Sequence, residues 1–288
     1  MAVNFKLLFE QTGKLVLFYI MELRGLYWSL GFNRTKVFSI EILPGHKIKY
    51  AGLGDISQII YKTAVLVKYG KSFEFSTLQL FSKIVHPGDV IIDVGANSGL
   101  YSIFYSNLVG ANGLVHAFEP DKETCSLLQK NLQLNNCSNV IVHNLALSDK
   151  ESRIEMVSFT PDNLHLDQGD SFKYIREVGA DETDEANKFM HACPLDTLRQ
   201  IGEITKIDFI KIDVEGAEFL VLKGAVQTIQ RFKPVIIFEL SGQWTSRFHY
   251  KPYELLVFLK DLGYEMEEYE FQQWIARPVP LAGYVNCR

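Results

Sequence analysis

Short apolar runs alternate along this chain with longer amphipathic segments. Val90-Ile91-Ile92 is uninterrupted, the pattern of a strand buried on both faces of a parallel sheet. Leu100 to Val109 follows as a helix, with Gly110 at its end. The pattern then repeats. Strands are predicted at Val115–Phe118, Val140–Asn144, Ile207–Asp213 and Pro234–Leu240, with closing strands at Tyr264–Tyr269 and near Trp274–Ala276. Helices are predicted from the N-cap Asp121 to about Leu134, over a short segment capped by Asp196, from Gly216 to about Gln230, and over Pro252–Leu262. Strands alternating with helices imply an α/β fold with a doubly wound, mostly parallel sheet. Arg153–Phe159 and Phe189–Cys193 form an added pair of strands around an acidic loop. Upstream, residues 1–32 look helical, Val37–Ile42 and Ala64–Lys68 look like short strands, and Ser76–Ile84 reads as a helix. The expected organisation is a helical and short-strand extension over 1–70 and the α/β domain over 71–288.

Charge and cysteine usage narrow the function. The net charge of the 288 residues is −5, and residues 160–191 carry all of the imbalance, with eight acids against three bases. No basic field of the kind that drives nucleic-acid affinity is present, so a nucleic-acid partner is not expected. Four scattered cysteines, Cys125, Cys137, Cys193 and Cys287, read as free thiols of a reducing, cytoplasmic compartment. The uncharged run Leu15–Met21 is too short to span a bilayer, and no small-residue cleavage site follows it. Residues 5–30 are rich in Leu and aromatics, with Lys6, Lys14 and Arg24 interspersed. Two readings stand for residues 1–30: a helix packed on the domain, or one lying on a membrane surface or a partner.

The turn after the first core strand carries the chemistry. Gly95 and Gly99 bracket Ala96, Asn97 and Ser98, so the backbone can turn tightly and a ligand can approach it. A dinucleotide fingerprint requires glycine where Asn97 and Leu100 stand, and no phosphate-loop Gly-Lys-Ser/Thr is present. A nucleoside ligand without phosphates fits better, and S-adenosylmethionine is the common one. Glu119 ends the second strand 20 residues after Gly99, where an acid can accept from both ribose hydroxyls. An oxidoreductase binding NAD and a generic α/β turn are the alternatives.

Several stretches together resemble the FkbM family of S-adenosylmethionine-dependent methyltransferases. They are Pro87-Gly88-Asp89-Val90, Asp93 to Tyr101, Ala117-Phe118-Glu119-Pro120, Asn131 to Asn135, Ala146-Leu147-Ser148-Asp149, Leu195-Asp196-Thr197-Leu198 and Ile210 to Glu218. The resemblance implies a Rossmann-like, seven-stranded methyltransferase sheet with a reversed last strand, and methyl transfer to a hydroxyl, often on sugars or secondary metabolites. By position, it implies that Gly95, Asn97, Ser98 and Gly99 shape the loop around the methionine part, with Asp93 facing the amino group through water. Glu119 and Pro120 would flank the ribose, and Ala146 and Leu147 the adenine, with Ser148 or Asp149 near its polar edge. Phe73-Glu74 matches an aromatic–acid pair ahead of the core, which makes Glu74 a further candidate for the donor site.

Alternation along the fourth strand puts Phe209, Lys211 and Asp213 on one face. In the implied strand order, Asp93, Asp213 and Glu239 line adjacent carboxyl ends. A lysine on a central strand is costly unless paired, so Lys211 is expected to neutralise these acids. Lys211 and Asp213 also stand as candidate catalytic groups, and Asp213 as a contact to the donor as well. A hard metal on Asp213 and Glu239 is a third, weaker reading, and no metal site is assigned. An alcohol acceptor benefits from a general base. Candidates are Glu215, Glu239, Lys211, His249 and His165; His116 and His143 lie within strands and read as structural. The fourth strand lacks the Asn/Asp-Pro-Pro-Tyr/Phe sequence of enzymes that methylate planar nitrogens. Trp244, Phe248 and Tyr250 could stack on a sugar or serve as ordinary core. The expected function is O-methylation of a hydroxyl on a glycan, lipid-linked saccharide or secondary metabolite, the alternative being a module that binds the donor without turnover.

Overall fold

The computed structural model describes residues 37–43, 45–51, 73–159, 172–179, 182 and 188–280. Two compact units divide between Leu78 and Gln79. In the first, β1 (Val37–Leu43) and β2 (His46–Ala51) form an antiparallel hairpin, of which the sequence pattern revealed only the first strand. The helix expected over 1–32, the strand expected at Ala64–Lys68 and His165 of the acidic loop lie outside the described residues. Helix α1 (Phe73–Ile84) begins ahead of the expected Ser76. Among the described residues no helix is long and apolar enough to cross a membrane.

The second unit is laid out in chain order as β3 (Val90–Val94), α2 (Leu100–Val109), β4 (Leu114–Phe118), α3 (Lys122–Leu134) and β5 (Val140–His143). Then come β6 (Ala146–Leu147), β7 (Ser152–Phe159), β8 (Phe172–Glu177), β9 (Met190–Cys193), α4 (Arg199–Gly202) and β10 (Phe209–Ile212). The chain closes with α5 (Glu218–Lys223), α6 (Val226–Phe232), β11 (Val235–Glu239), α7 (Gly242–Thr245), α8 (Pro252–Asp261), β12 (Tyr264–Glu270) and β13 (Gln273–Pro278).

Seven strands make the main sheet in the order β12-β13-β11-β10-β3-β4-β5. Strands β3, β4, β5, β10 and β11 are parallel, and β13 runs against both β11 and β12. This is the Rossmann-like methyltransferase order, with the reversed last strand that the family resemblance implied. Every residue of β3 and β10 is buried, including the charged Asp93 and Lys211 set among their apolar neighbours. The chain winds outward from β3 through β5 and returns to β10 beside β3. That reversal opens a crevice at the carboxyl ends of β3 and β10, where α/β sheets bind their ligands.

A second sheet has the order β6-β9-β7-β8. The expected pairing of the Arg153–Phe159 and Phe189–Cys193 segments is present, and β8 adds a strand that the acidic composition concealed. Two further expectations need correction. The helix predicted from Gly216 to Gln230 is broken into α5 and α6 at Gly224-Ala225. A Cβ on Gly224 would lie 1.9 Å from the Ser148 carbonyl oxygen, so that close approach fixes the break. Asp196 does not cap the short helix that follows it. Its carboxylate instead accepts from the Gln227 and Thr228 amides, at 2.8 and 2.9 Å, and caps α6.

Candidate active site

The crevice has two walls, and the first is the loop after β3. The Gly95 and Ala96 amides donate to the Phe118 carbonyl at 3.1 and 3.0 Å, which ties the loop to the end of β4. Gly95 has φ +76, and a Cβ there would lie 2.0 Å from the Asp213 carbonyl oxygen. No other residue fits between the two walls. Asn97 is exposed with φ +50, and its Oδ1 accepts from the Ser98 amide at 2.7 Å. Asn131, fully buried on α3, donates to the Ser98 carbonyl at 2.8 Å.

Glu119 is buried beside this loop. Its two carboxylate oxygens accept from the Asn97 amide at 3.0 Å and the Asp121 amide at 2.9 Å. The carbonyls of Glu119 and Pro120 are held by the Asn144 side-chain amide at 2.9 and 2.8 Å. Asn144 read only as a strand end in the sequence, because its partners are distant in the chain. Ala146 and Leu147 are buried in β6, and the amide of Ser148 donates to the Cys193 carbonyl. Asp149 pairs with Lys223 at 2.7 Å. Glu74 lies in the first turn of α1, and its side chain is outside what the structure describes.

Asp93, expected to face the donor's amino group, has no exposed surface. Ser102 on α2 donates to it at 2.6 Å, and Lys211 Nζ lies 3.8 Å away. Burial raises its carboxyl above the ordinary carboxylate range, opposed by Lys211 and the Ser102 hydroxyl. Lys211 is itself buried, 3.1 Å from Asp213 and 4.7 Å above the Tyr101 ring. The β3–β10 register sets Lys211 directly opposite Asp93, as strand alternation predicts.

The second wall follows β10. Asp213, Glu215 and Glu218 follow one another there, and Glu239 ends the neighbouring β11. Burial pushes Glu215 up to about 8, helped by the charges of Asp213 and Glu218 and opposed by Arg247 and Lys211. Burial likewise raises Glu239, with Asp213 and Glu215 adding to it. Glu218 is pushed up to about 7 by burial, against the backbone amides that it accepts from. Among the described residues no group of His, Cys, Asp or Glu is arranged to hold a metal ion.

The segment after β11 closes this wall. Trp244 and Tyr250 are buried and Phe248 packs against the core, so these rings serve as core here. The Arg247 guanidinium lies between Tyr174 on β8 and Trp244, 4.5 and 4.6 Å from the ring centres. His249 is exposed with φ +57, and the structure does not bring it into the carboxylate cluster. Sequence reasoning gave no role to Glu218, although an acid in a helix's first turn can reach back to amides before it. His116 and His143 pair through their ring nitrogens at 2.9 Å, away from the carboxylates, within β4 and β5.

The profile of the Methyltransferase FkbM domain matches residues 93–266, a span that holds both walls of the crevice. The chain belongs to this family. FkbM relatives include "Methyltransferase 1" of Beauveria bassiana, 28% identical over 46% of this chain and 57% of its own length. The hexuronic acid methyltransferase AglP of Haloferax volcanii is 25% identical over 57% of this chain and 61% of its own. The 31-O-demethyl-FK506 methyltransferase FkbM of Streptomyces tacrolimicus is 31% identical over 49% of this chain and 60% of its own. The chain thus spans about three fifths of the length of each of these relatives.

Proposed function

We propose that this domain transfers a methyl group from S-adenosylmethionine to a hydroxyl of a sugar, a lipid-linked saccharide or a secondary metabolite. The observation that carries the reading is the contact of Gly95 with the Asp213 carbonyl: it sets a nucleoside-type loop directly against a cluster of carboxylates. The names of two relatives, for hexuronic acid and 31-O-demethyl-FK506, support an oxygen acceptor.

The residues of the first wall fit such a donor. Glu119 stands at the end of β4, and its carboxylate is fixed beside the loop by the Asn97 and Asp121 amides. It accepts from the ribose hydroxyls. The Gly95–Gly99 backbone wraps the methionine part, and Pro120, Ala146 and Leu147 line the nucleoside. Asp93 acts indirectly, by seating Ser102 and Lys211 beneath the loop. When bound, S-adenosylmethionine supplies an electrophilic methyl on a sulfonium. The second wall supplies the proton acceptor. Glu215, raised to about 8, is a better-matched base near neutral pH than an ordinary glutamate. Glu239 lies within its electrostatic reach and shares the load. Lys211 holds the charge balance of Asp93 and Asp213.

Calorimetry with S-adenosylmethionine and S-adenosylhomocysteine tests the donor half, and labelled methyl transfer into cell extracts tests turnover. Binding with labelled product is expected. Binding without product across broad extracts points instead to a non-catalytic module, and NADH binding in its place removes the reading altogether.

A further inference from the structure

Of the four carboxylates in the second wall, only Glu215 stands on a left-handed backbone, with φ +55. A side chain in that conformation persists only where surrounding structure holds it. Two groups do so. Glu218 is 1% exposed, and its Oε1 accepts from the Val214 amide at 3.2 Å and the Gly216 amide at 3.1 Å, one on each side of Glu215. Tyr250 reaches in from beyond β11; its hydroxyl donates to the Gly216 carbonyl at 2.9 Å and lies 3.4 Å from Glu218 Oε2. Gly216 completes the joint. Its φ is +105, and a Cβ would lie 2.6 Å from the Trp244 carbonyl oxygen. The turn is thereby fastened to the segment 241–250 by backbone contact and by one phenol.

We propose that Glu218 and Tyr250 are positioning residues: they clamp the amides and carbonyl around Glu215 and so aim its carboxylate into the crevice, making the seating of segment 241–250 and the readiness of the base a single event. This rests on the reading of Glu215 as base. The charged groups facing Glu215 are Asp213 and Glu218 on its own stretch, Lys211 on β10, Glu239 on β11 and Arg247 after α7. Tyr250→Phe keeps all of these side chains and removes one hydroxyl, with its bond to the Gly216 carbonyl and its contact with Glu218 Oε2; the Glu218 variants below separate the two.

The test needs no acceptor. Protein labelled with carbon-13 at glutamate carboxyls is titrated by NMR, with the Glu215 signal assigned by its loss in Glu215→Gln. Tyr250→Phe is expected to move the Glu215 midpoint by about half a pH unit or more, while calorimetric affinity for S-adenosylmethionine stays at the wild-type value. Glu218→Gln, whose amide oxygen still accepts both backbone N–H groups, should keep the Glu215 signal sharp; Glu218→Ala should broaden it. A Tyr250→Phe protein that melts earlier yet titrates as wild type overturns the proposal, as does a folded Glu218→Ala protein indistinguishable from Glu218→Gln. A wild-type midpoint in the ordinary glutamate range removes the base reading alone. The effect of Tyr250→Phe on that signal then still decides positioning.

Discussion

On the wall assigned to the donor, polar side chains are matched with backbone partners. Glu119 takes the amides of Asn97 and Asp121, Asn144 takes the carbonyls of Glu119 and Pro120, and Asn131 takes that of Ser98. On the wall assigned to the acceptor, carboxylates from β11, α5 and the turn after β10 are pooled, and the cations near them come from β10 and the segment after α7. Bonds to the backbone hold a fixed geometry. A pooled cluster has a charge that depends on every member, so its protonation shifts when one neighbour changes. One wall is built for constancy of shape, the other for adjustable proton affinity.

The sharpest way to separate the walls is to disable one and read the other. Glu215→Gln is expected to lower turnover by about 10²–10⁴ while leaving donor affinity within error. Equal losses in both would merge the two walls into one site. Gly95→Ala strikes their shared seam, since its Cβ meets the Asp213 carbonyl in a left-handed conformation. It should cost about 3 kcal/mol of stability in denaturant unfolding, the sum of backbone strain and overpacking. A loss under about 1 kcal/mol shows that the seam can part. Glu119→Ala should weaken donor binding about 10- to 100-fold, because it strands two loop amides and removes the ribose acceptor. Unchanged affinity in calorimetry refutes the assigned role.

A further test concerns pH. Glu215 is raised from 4.5 to about 8, so the folded state binds more protons than the unfolded chain between those values. Its contribution is present below the unfolded value and is lost as pH rises through about 8. Melting temperature should therefore fall across that window, and Glu215→Gln should fall less. Parallel curves for the two proteins would place the titrating group elsewhere.

The difference between the walls also explains what the sequence made legible. Asp93 to Gly99 and Glu119 can be read because turn chemistry is local: glycines and a spaced acid announce a shape. The strand positions were legible for the same reason, from apolar runs and turn signals, whereas the sheet order came from the family resemblance. Asn144, Arg247 and Tyr250 were not, because each acquires its role from partners that only the folded chain supplies. The same holds for Asp196, which caps a helix begun by Val226, and for Gly224, whose break depends on the Ser148 carbonyl. Strand β8 was masked by the acidic composition around it.

The turn from Asp213 to Gly216 touches Gly95 on one side and the Trp244 carbonyl on the other, each time through a residue with no side chain. Contacts between backbones cannot be absorbed by a change of rotamer, and tightly packed interiors pass strain onward. The turn therefore works mechanically as an incompressible spacer. A displacement of the 241–250 segment is passed on toward the glycine loop, and the spacing between the two walls is set by peptide planes.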